Sequence, residues 1–219
     1  GPEAALRAAD VRVGPEGSTF RVLAEGRELG EVRLRLPGAH SVLNALAAVA
    51  VGLEVEVAFP HIAAALEGFH GVGRRFETRG EAGGVLVVDD YGHHPTEVAA
   101  TLAAARTLGR RVLVVFQPHR YTRTALLHRE FGGCFGGAHR VFVLDIYAAG
   151  ESPVPGVTSR TIVDSAAALG QRQLEYVGDG AAAVEAVARE ARPGDLVLTL
   201  GAGDVWKLGD RLLERLGGR

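Results

Sequence analysis

The chain has 219 residues, which suits one or two domains, and 47% of them are hydrophobic, enough for a sizeable core. Charged residues make up 23% and the formal net charge is -2, so the basic excess of a nucleic-acid-binding protein is missing and we expect no nucleic-acid partner. The sequence has no apolar run of membrane-spanning length, no recognisable secretory signal and one cysteine, Cys134, which together predict a cytoplasmic protein without membrane contact, internal disulfide or cysteine-cluster metal site.

The first part of the chain predicts a small segment of strands followed by helices. The predicted elements are strands over 18–23 and 31–36, a helix over 42–51 and a short helix over 60–67. The first helix is rich in alanine and apolar on nearly all sides, so we expect it to be buried. The glycine-rich stretch at 68–73 marks a junction, and we expect one domain over 1–74 and a second over 75–219.

The second part predicts a doubly wound α/β domain with a mostly parallel sheet. Short runs rich in Val and Leu alternate with helical patterns, as in parallel sheets that are buried on both faces. The predicted strands span 85–89, 111–116, 140–144 and 195–200, with a weaker one near 174–177. The predicted helices span 95–108, 124–135, 159–169, 181–191 and 205–216.

Polar and ionisable residues follow the predicted strands, whereas the opposite strand ends look like ordinary turns. The four clusters are Asp89–Glu97, Gln117–Thr124, Asp145–Glu151 and Gly201–Asp204. Ligands of open α/β sheets bind beyond the carboxyl ends of the strands. This asymmetry predicts a functional edge there.

The first cluster offers a carboxylate and an imidazole at a strand end. Asp90 suits the hydroxyls of a ribose, and His93 suits an anionic oxygen or a proton transfer. The residues 95–97 suit the first turn of a helix, which is a sufficient reason for them. A metal site at His93 and His94 is disfavoured, because adjacent histidines rarely converge on one ion.

The clusters at 117–124, 145–151 and 201–204 are each consistent with a ligand-binding role or with an ordinary structural role. Arg120 and Arg123 would project from one side of a helical turn and suit a carboxylate or phosphate, or they are ordinary surface arginines. His119 and Tyr121 suit either reading. The residues 145–151 favour simple loop chemistry, and the turn at 201–204 either faces an anion or only reverses the chain tightly.

In the first part of the chain, His40 and Asn44 lie four residues apart, on one face of the predicted helix. An asparagine amide can pair with the edge of an adenine. A helix cap or a hydrogen bond within the core is the alternative reason for these two residues.

Four runs of the sequence resemble motifs of a known family, the UDP-N-acetylmuramate–L-alanine ligases of the Mur ligase family. The runs are Pro37–Ala45, Gly71–Glu77, Asp89–Glu97 and Phe116–Thr124. The resemblance extends over about residues 18–208, and its second pair of runs is specific. It also separates the chain from the related ligases that recycle a murein tripeptide.

The resemblance implies a domain organisation and a set of site residues. Residues 1–74 would be the tail of the central, ATP-binding domain, and residues 75–219 the Rossmann-like final domain that receives the amino acid. The nucleotide contacts carried over are His40, Asn44, Arg75 and Asp90. Around the amino acid and the reacting carboxylate, the resemblance implies four residues, Tyr91, His93, Arg120 and Arg123. It implies that the last three of them are catalytic. The family usually has asparagine at the position of Ser41.

The resemblance also implies a reaction. ATP would phosphorylate the lactyl carboxylate of UDP-N-acetylmuramate, and the amine of L-alanine would attack the acyl phosphate, with Mg²⁺ assisting. ATP-dependent transfer in this family uses a glycine-rich loop with a lysine. The only lysine, Lys207, has no such context.

We therefore expect part of a ligase that is inactive alone, whose partners are the missing amino-terminal domains, where most Mg²⁺ ligands would lie. Two alternatives remain at this point. One is a module that binds a nucleotide or an amino acid without catalysis, and the other is a truncated ligase that serves as an interaction partner.

Overall fold

The computed structural model describes residues 4–218 and divides the chain into two compact units, Gly1–Gly71 and Val72–Arg219. The division falls inside the glycine-rich stretch at 68–73. Among the described residues, no helix is long and apolar enough to cross a membrane.

The first unit combines a three-stranded antiparallel sheet with two helices. Its elements are β1 (Leu6–Gly14), β2 (Gly17–Ala24), β3 (Arg27–Leu34), α1 (Ala39–Glu54) and α2 (Phe59–Glu67), and the strands lie in the order β1-β2-β3. Strand β2 alternates as a half-buried strand should, with Phe20 and Val22 pointing into the core. They pack there with Val42 and Val49 of α1.

The prediction that the first helix is buried holds on one side only. Val42 and Val49 are buried, whereas Leu43 is 66% and Val51 is 64% exposed. One side of α1 packs on the sheet of this unit, and its other apolar side faces solvent.

The second unit is the predicted doubly wound α/β domain. Its strands are β4 (Glu77–Ala82), β5 (Val85–Asp90), β6 (Val112–Phe116), β7 (Arg140–Leu144), β8 (Leu174–Gly178) and β9 (Leu196–Leu200). Its helices are α3 (Pro95–Arg106), α4 (Tyr121–Gly133), α5 (Arg160–Ala168), α6 (Gly180–Glu190) and α7 (Leu208–Gly217), the last preceded by a 3₁₀ turn at Val205–Lys207. The sheet order is β4-β5-β9-β6-β7-β8, and only the pair β4–β5 is antiparallel.

Helices cover both faces of this sheet. In strand β6, Val114 and Phe116 point to the face that α3, α4 and α5 cover, and Leu113 and Val115 point to the face that α6 and α7 cover. All four side chains are fully buried. Burial on both faces explains why the strands are continuous apolar runs in the sequence.

The position of β9 determines where a ligand can bind. This last strand lies between β5 and β6. The chain leaves β5 and β6 towards helices on one face, whereas it leaves β9 towards α7 on the other face. Loops that diverge in this way leave a crevice beyond the carboxyl ends of the strands.

Candidate functional site

Four aromatic rings form a continuous row along the carboxyl edge of the second unit's sheet. Tyr91 and His93 follow β5, His119 follows β6 and Tyr147 follows β7. The ring centroids of successive pairs lie 5.1 Å, 5.7 Å and 5.7 Å apart. The structure thus brings three of the predicted clusters into contact, and we call these four residues the ring row.

Guanidinium groups flank the ring row. The guanidinium carbons of Arg74 and Arg75 lie 5.0 Å and 5.4 Å from the centroid of the Tyr91 ring, within the range of cation–π attraction. Further along, Nη1 of Arg123 lies 3.3 Å from Nδ1 of His119. Positive charge beside polarisable rings suits an anionic ligand.

The hydrogen bonds of His93 fix its tautomer. Its Nδ1 lies 3.0 Å from the carbonyl oxygen of Tyr91 and 3.2 Å from Oε2 of Glu97. Both neighbours are acceptors, so we assign the proton to Nδ1. Nε2 then keeps its lone pair and can accept a proton.

Glu97 holds the loop before α3 in place. Its Oε2 accepts hydrogen bonds from the backbone N–H groups of His93 at 2.9 Å and His94 at 3.1 Å. Burial alone would raise the pKa of Glu97, but favourable interactions led by the hydrogen bond from the backbone N–H of His93 outweigh burial, and the pKa is lowered. The residues 95–97 do begin a helix, with His94 as its cap.

Asp90 is engaged mainly with the protein itself. The residue is 5% exposed. Its Oδ2 accepts a hydrogen bond from the N–H of Phe76 at 2.9 Å, and its Oδ1 accepts from the N–H of Gly92 at 2.7 Å and the hydroxyl of Thr101 at 3.0 Å. A carboxylate has about four acceptor positions, so about one remains for a ligand.

A buried ion pair next to the ring row was not among the predicted site residues. Asp89 is fully buried, and its carboxylate accepts from Nε of Arg74 at 3.1 Å and from the hydroxyl of Thr199 at 2.6 Å. Burial raises the pKa of Asp89. Arg74 also donates to the carbonyl oxygen of Gly201 at 2.6 Å, and its own carbonyl accepts from the N–H of Tyr91 at 2.7 Å. Arg74 therefore ties the entry of this unit to β5 and β9.

Arg120 adopts a strained backbone conformation. Its φ of 73° and ψ of 139° lie in a region that side chains rarely adopt and that costs about 1–3 kcal/mol. It precedes α4, so the helical spacing used in the prediction is not what positions it. Its Nη1 lies 3.9 Å from Oε1 of Glu151, and the side chain is 50% exposed.

The turn at 201–204 packs against Gln117 and against Tyr147 of the ring row. Gln117 donates to Oδ1 of Asp204 at 2.8 Å and accepts from the N–H of Val205 at 3.2 Å. A Cβ on Gly203 would lie 2.6 Å from Cγ of Tyr147, so this position must be glycine for the ring to pack there. Gln117 and Tyr147 were not among the predicted site residues.

The remaining predicted nucleotide contacts lie in the first unit, in the first turns of α1. His40 is half-buried and Asn44 is exposed.

Within residues 4–218, no group of three or more His, Cys, Asp or Glu side chains is arranged to hold a metal ion. Nδ1 of His94 accepts a hydrogen bond from the N–H of Thr96 at 3.4 Å, whereas Nδ1 of His93 lies 3.0 Å from the carbonyl oxygen of Tyr91.

The sequence of this edge belongs to a known domain type. Residues 74–203 match the family described as Mur ligase, glutamate ligase domain. The chain belongs to the Mur ligase family.

Relatives within the Mur ligase family are similar over nearly the whole chain. The UDP-N-acetylmuramate–L-alanine ligase of Solibacter usitatus is 52% identical over 215 residues, which are 98% of this chain and 46% of the relative. The enzyme of the same name from Oleidesulfovibrio alaskensis is 50% identical over 98% of this chain and 47% of its own length. This chain therefore spans about half the length of the relatives that it matches.

Solved Mur ligase structures share the fold. The UDP-N-acetylmuramate–alanine ligase of Thermotoga maritima superposes with a TM-score of 0.81 at 26% identity, over 96% of this chain and 45% of that one. A murein peptide ligase from Psychrobacter arcticus superposes with a TM-score of 0.72 at 23% identity, which shows the fold alone.

In this Mur ligase chain, the protonation of His119 depends on its burial and on Arg123. Burial lowers the pKa of His119, and the charge of Arg123 lowers it further. The pKa of His119 in the folded protein thus lies below its unfolded value of about 6.5. Neutral His119 therefore contributes to stability above about pH 6.5, and this contribution is lost as the pH falls through the folded pKa. Replacing Arg123 with alanine should raise the pKa, measured by NMR titration of the His119 ring.

Arg129→Ala is the matched control, because Arg129 is an exposed arginine on the same helix. It should leave the His119 titration unchanged. If Arg123→Ala also leaves it unchanged, Arg123 does not act on this ring in solution.

Proposed function

We propose that this chain is part of a UDP-N-acetylmuramate–L-alanine ligase and supplies the edge on which the amide bond forms. The observation that carries the proposal is the 52% identity, over 98% of the chain, to a protein named for that activity. The ring row and its arginines give the proposal a chemical basis, since both steps of the reaction build negative charge on oxygen atoms.

In the proposed reaction, ATP phosphorylates the lactyl carboxylate of UDP-N-acetylmuramate. The amine of L-alanine then attacks the acyl carbon, the carbon–oxygen bond to phosphate breaks, and amide, ADP and phosphate leave. Arg120 and Arg123 are suited to stabilise the charge on the acyl and phosphoryl oxygens, because guanidinium forks bind such groups bidentately. Tyr91 lines the same edge.

His93 is suited to take the proton that the amine of L-alanine must lose. The hydrogen bond from Nδ1 to the carbonyl of Tyr91 leaves Nε2 as the acceptor. Glu97 supports this tautomer from 3.2 Å. A positioned base of this kind contributes about 10²–10⁴-fold in rate.

For the nucleotide, we propose that His40 and Asn44 contact the adenine and that Asp90 contacts the ribose. Arg75 is a further proposed nucleotide contact. Asp90 also has a structural role, because its carboxylate accepts hydrogen bonds from the backbone N–H groups of Phe76 and Gly92. Mg²⁺ would neutralise phosphate charge when bound. Most Mg²⁺ ligands would lie in the half of the relatives that this chain does not match.

The test compares this chain with a chimera. The chimera joins the half of the Solibacter usitatus relative that this chain does not match to this chain, in one polypeptide. With ATP, Mg²⁺ and UDP-N-acetylmuramate, the chimera should release phosphate only when L-alanine is added, and the chain alone should release none, because its single lysine cannot form a phosphate loop.

Two results would contradict the proposal. One is L-alanine-dependent phosphate release by the chain alone. The other is a folded chimera that binds ATP but forms no product with L-alanine.

A further inference from the structure

The loop that follows β7 holds the backbone just before helix α4. The N–H of Tyr147 donates to the carbonyl oxygen of Pro118 at 2.8 Å, and the N–H of Arg120 donates to the carbonyl oxygen of Tyr147 at 2.8 Å. These two bonds belong to a short parallel bridge beyond the ends of β6 and β7. The bridge anchors Arg120 on its amino side.

The same loop then turns back towards α4. The N–H of Glu151 donates to the carbonyl oxygen of Ala148 at 3.0 Å, and the two residues between them, Ala149 and Gly150, have φ values of 50° and 85°. Positive φ at both central positions is typical of a type I′ turn. Because the chain reverses here, the side chain of Glu151 reaches the first turn of α4.

Glu151 supplies the cap that α4 does not provide for itself. The helix, Tyr121–Gly133, lies wholly within the described residues, and it has neither an acidic residue in its first turn nor a side-chain cap from Arg120. Oε1 of Glu151 accepts from the hydroxyl of Thr122 at 2.6 Å, and Oε2 accepts from the N–H of Thr122 at 3.0 Å. These two bonds lower the pKa of Glu151, so the carboxylate is charged at neutral pH and complements the positive end of the helix.

We propose that Glu151 is a positioning residue, which holds Arg120 in the geometry that the reaction requires. This inference rests on the proposed function. Oε1 of Glu151 lies 3.9 Å from Nη1 of Arg120, so the carboxylate that binds Thr122 also faces the guanidinium. The φ of Arg120, 73°, is a strained value that persists only where the surrounding contacts impose it. The bridge before Arg120 and the contacts of Glu151 after it are such contacts.

A helix cap without a positioning role would behave differently. A cap stabilises α4 whichever residue precedes the helix, whereas a positioning residue acts only through the guanidinium of Arg120. The loss of kcat on removal of Glu151 should therefore depend on the presence of Arg120 in the second case alone.

The experiment combines substitutions of Glu151 and Arg120 in the chimera. Glu151→Ala should lower kcat by about 10- to 100-fold, because misplacing a reacting group by about 1 Å costs about 100-fold. The KM for L-alanine should change by less than about threefold, since the contribution of Arg120 is made in the transition state. In the Arg120→Ala background, Glu151→Ala should lower kcat by less than about threefold.

Two further variants complete this comparison. Glu151→Gln should recover most of the loss, because its amide oxygen can still accept from the N–H of Thr122. Glu130→Ala is the matched control, since Glu130 is an exposed glutamate on α4, and it should leave kcat within about twofold.

The chain alone provides a readout that does not need activity. By NMR relaxation, the backbone order parameter of Arg120 should fall from about 0.85 in the unsubstituted chain to below about 0.6 in Glu151→Ala, and it should not fall in Glu130→Ala. An order parameter that stays unchanged in Glu151→Ala would overturn the inference. So would a loss of kcat that is equal with and without Arg120. An inactive unsubstituted chimera defeats the ligase proposal instead, and the order parameter then decides whether Glu151 holds Arg120.

Discussion

Replacing Arg74 with methionine should destabilise the second unit by about 3–5 kcal/mol, the cost of leaving one partner of a buried ion pair unpaired. The carboxylate of Asp89 has no exposed surface and lies 3.1 Å from Nε of Arg74. Methionine keeps much of the side-chain volume but removes the charge and both hydrogen bonds that Arg74 donates to Asp89 and Gly201.

The single tryptophan of the chain makes the measurement specific. Trp206 belongs to the second unit, so its fluorescence during urea unfolding follows that unit. Adding Asp89→Asn to Arg74→Met should recover part of the loss, because no charge is then buried. Arg215→Met is the control, since the Arg215 pair with Glu185 is exposed on both sides. If Arg74→Met lowers the free energy of unfolding no more than this control does, the ion pair does not stabilise this edge of the sheet.

Replacing Arg120 with alanine should lower the kcat of the chimera by about 100- to 1000-fold, as is typical when a group that stabilises transition-state charge is lost. Arg129→Ala, on the helix that follows Arg120, should leave kcat within about twofold, because exposed charges far from a site contribute little.

Arg120→Gly distinguishes function from folding. Glycine adopts the backbone angles of Arg120 without strain, so the Tm of this variant should not fall below that of Arg120→Ala, while the loss of kcat should be the same. A kcat within threefold of the unsubstituted chimera would remove Arg120 from the proposed machinery.

Most of the second unit could be predicted because its strands are buried on both faces. Runs such as Val112–Phe116 and Leu196–Leu200 are fully buried and therefore uninterrupted in the sequence. The two strands absent from the prediction, β1 and β4, are edge strands with few buried residues. These edge strands are polar, so the sequence has no uninterrupted apolar run that would predict them.

The location of the candidate site followed from a rule about sheets, whereas its contacts did not. The carboxyl ends of β5, β6 and β7 do bring Tyr91, His93, His119 and Tyr147 together. The partnership of Arg74 with Asp89 depends on the packing of a loop against β5, across 15 positions of the chain. No spacing pattern in the sequence encodes it.

Helix α1 is an element for which the sequence pattern and the structure differ. Its apolar residues on all sides predict full burial, and the described chain covers only one side.

The central claim is that the residues along this edge act on one reacting centre, and a double-mutant cycle between His93→Ala and Arg120→Ala in the chimera tests it most directly. Residues that act as a unit lose far less together than the product of their separate losses. We therefore expect kcat/KM of the double variant to lie within about tenfold of the weaker single variant. Losses that simply multiply, as they do for distant and independent sites, would contradict the claim.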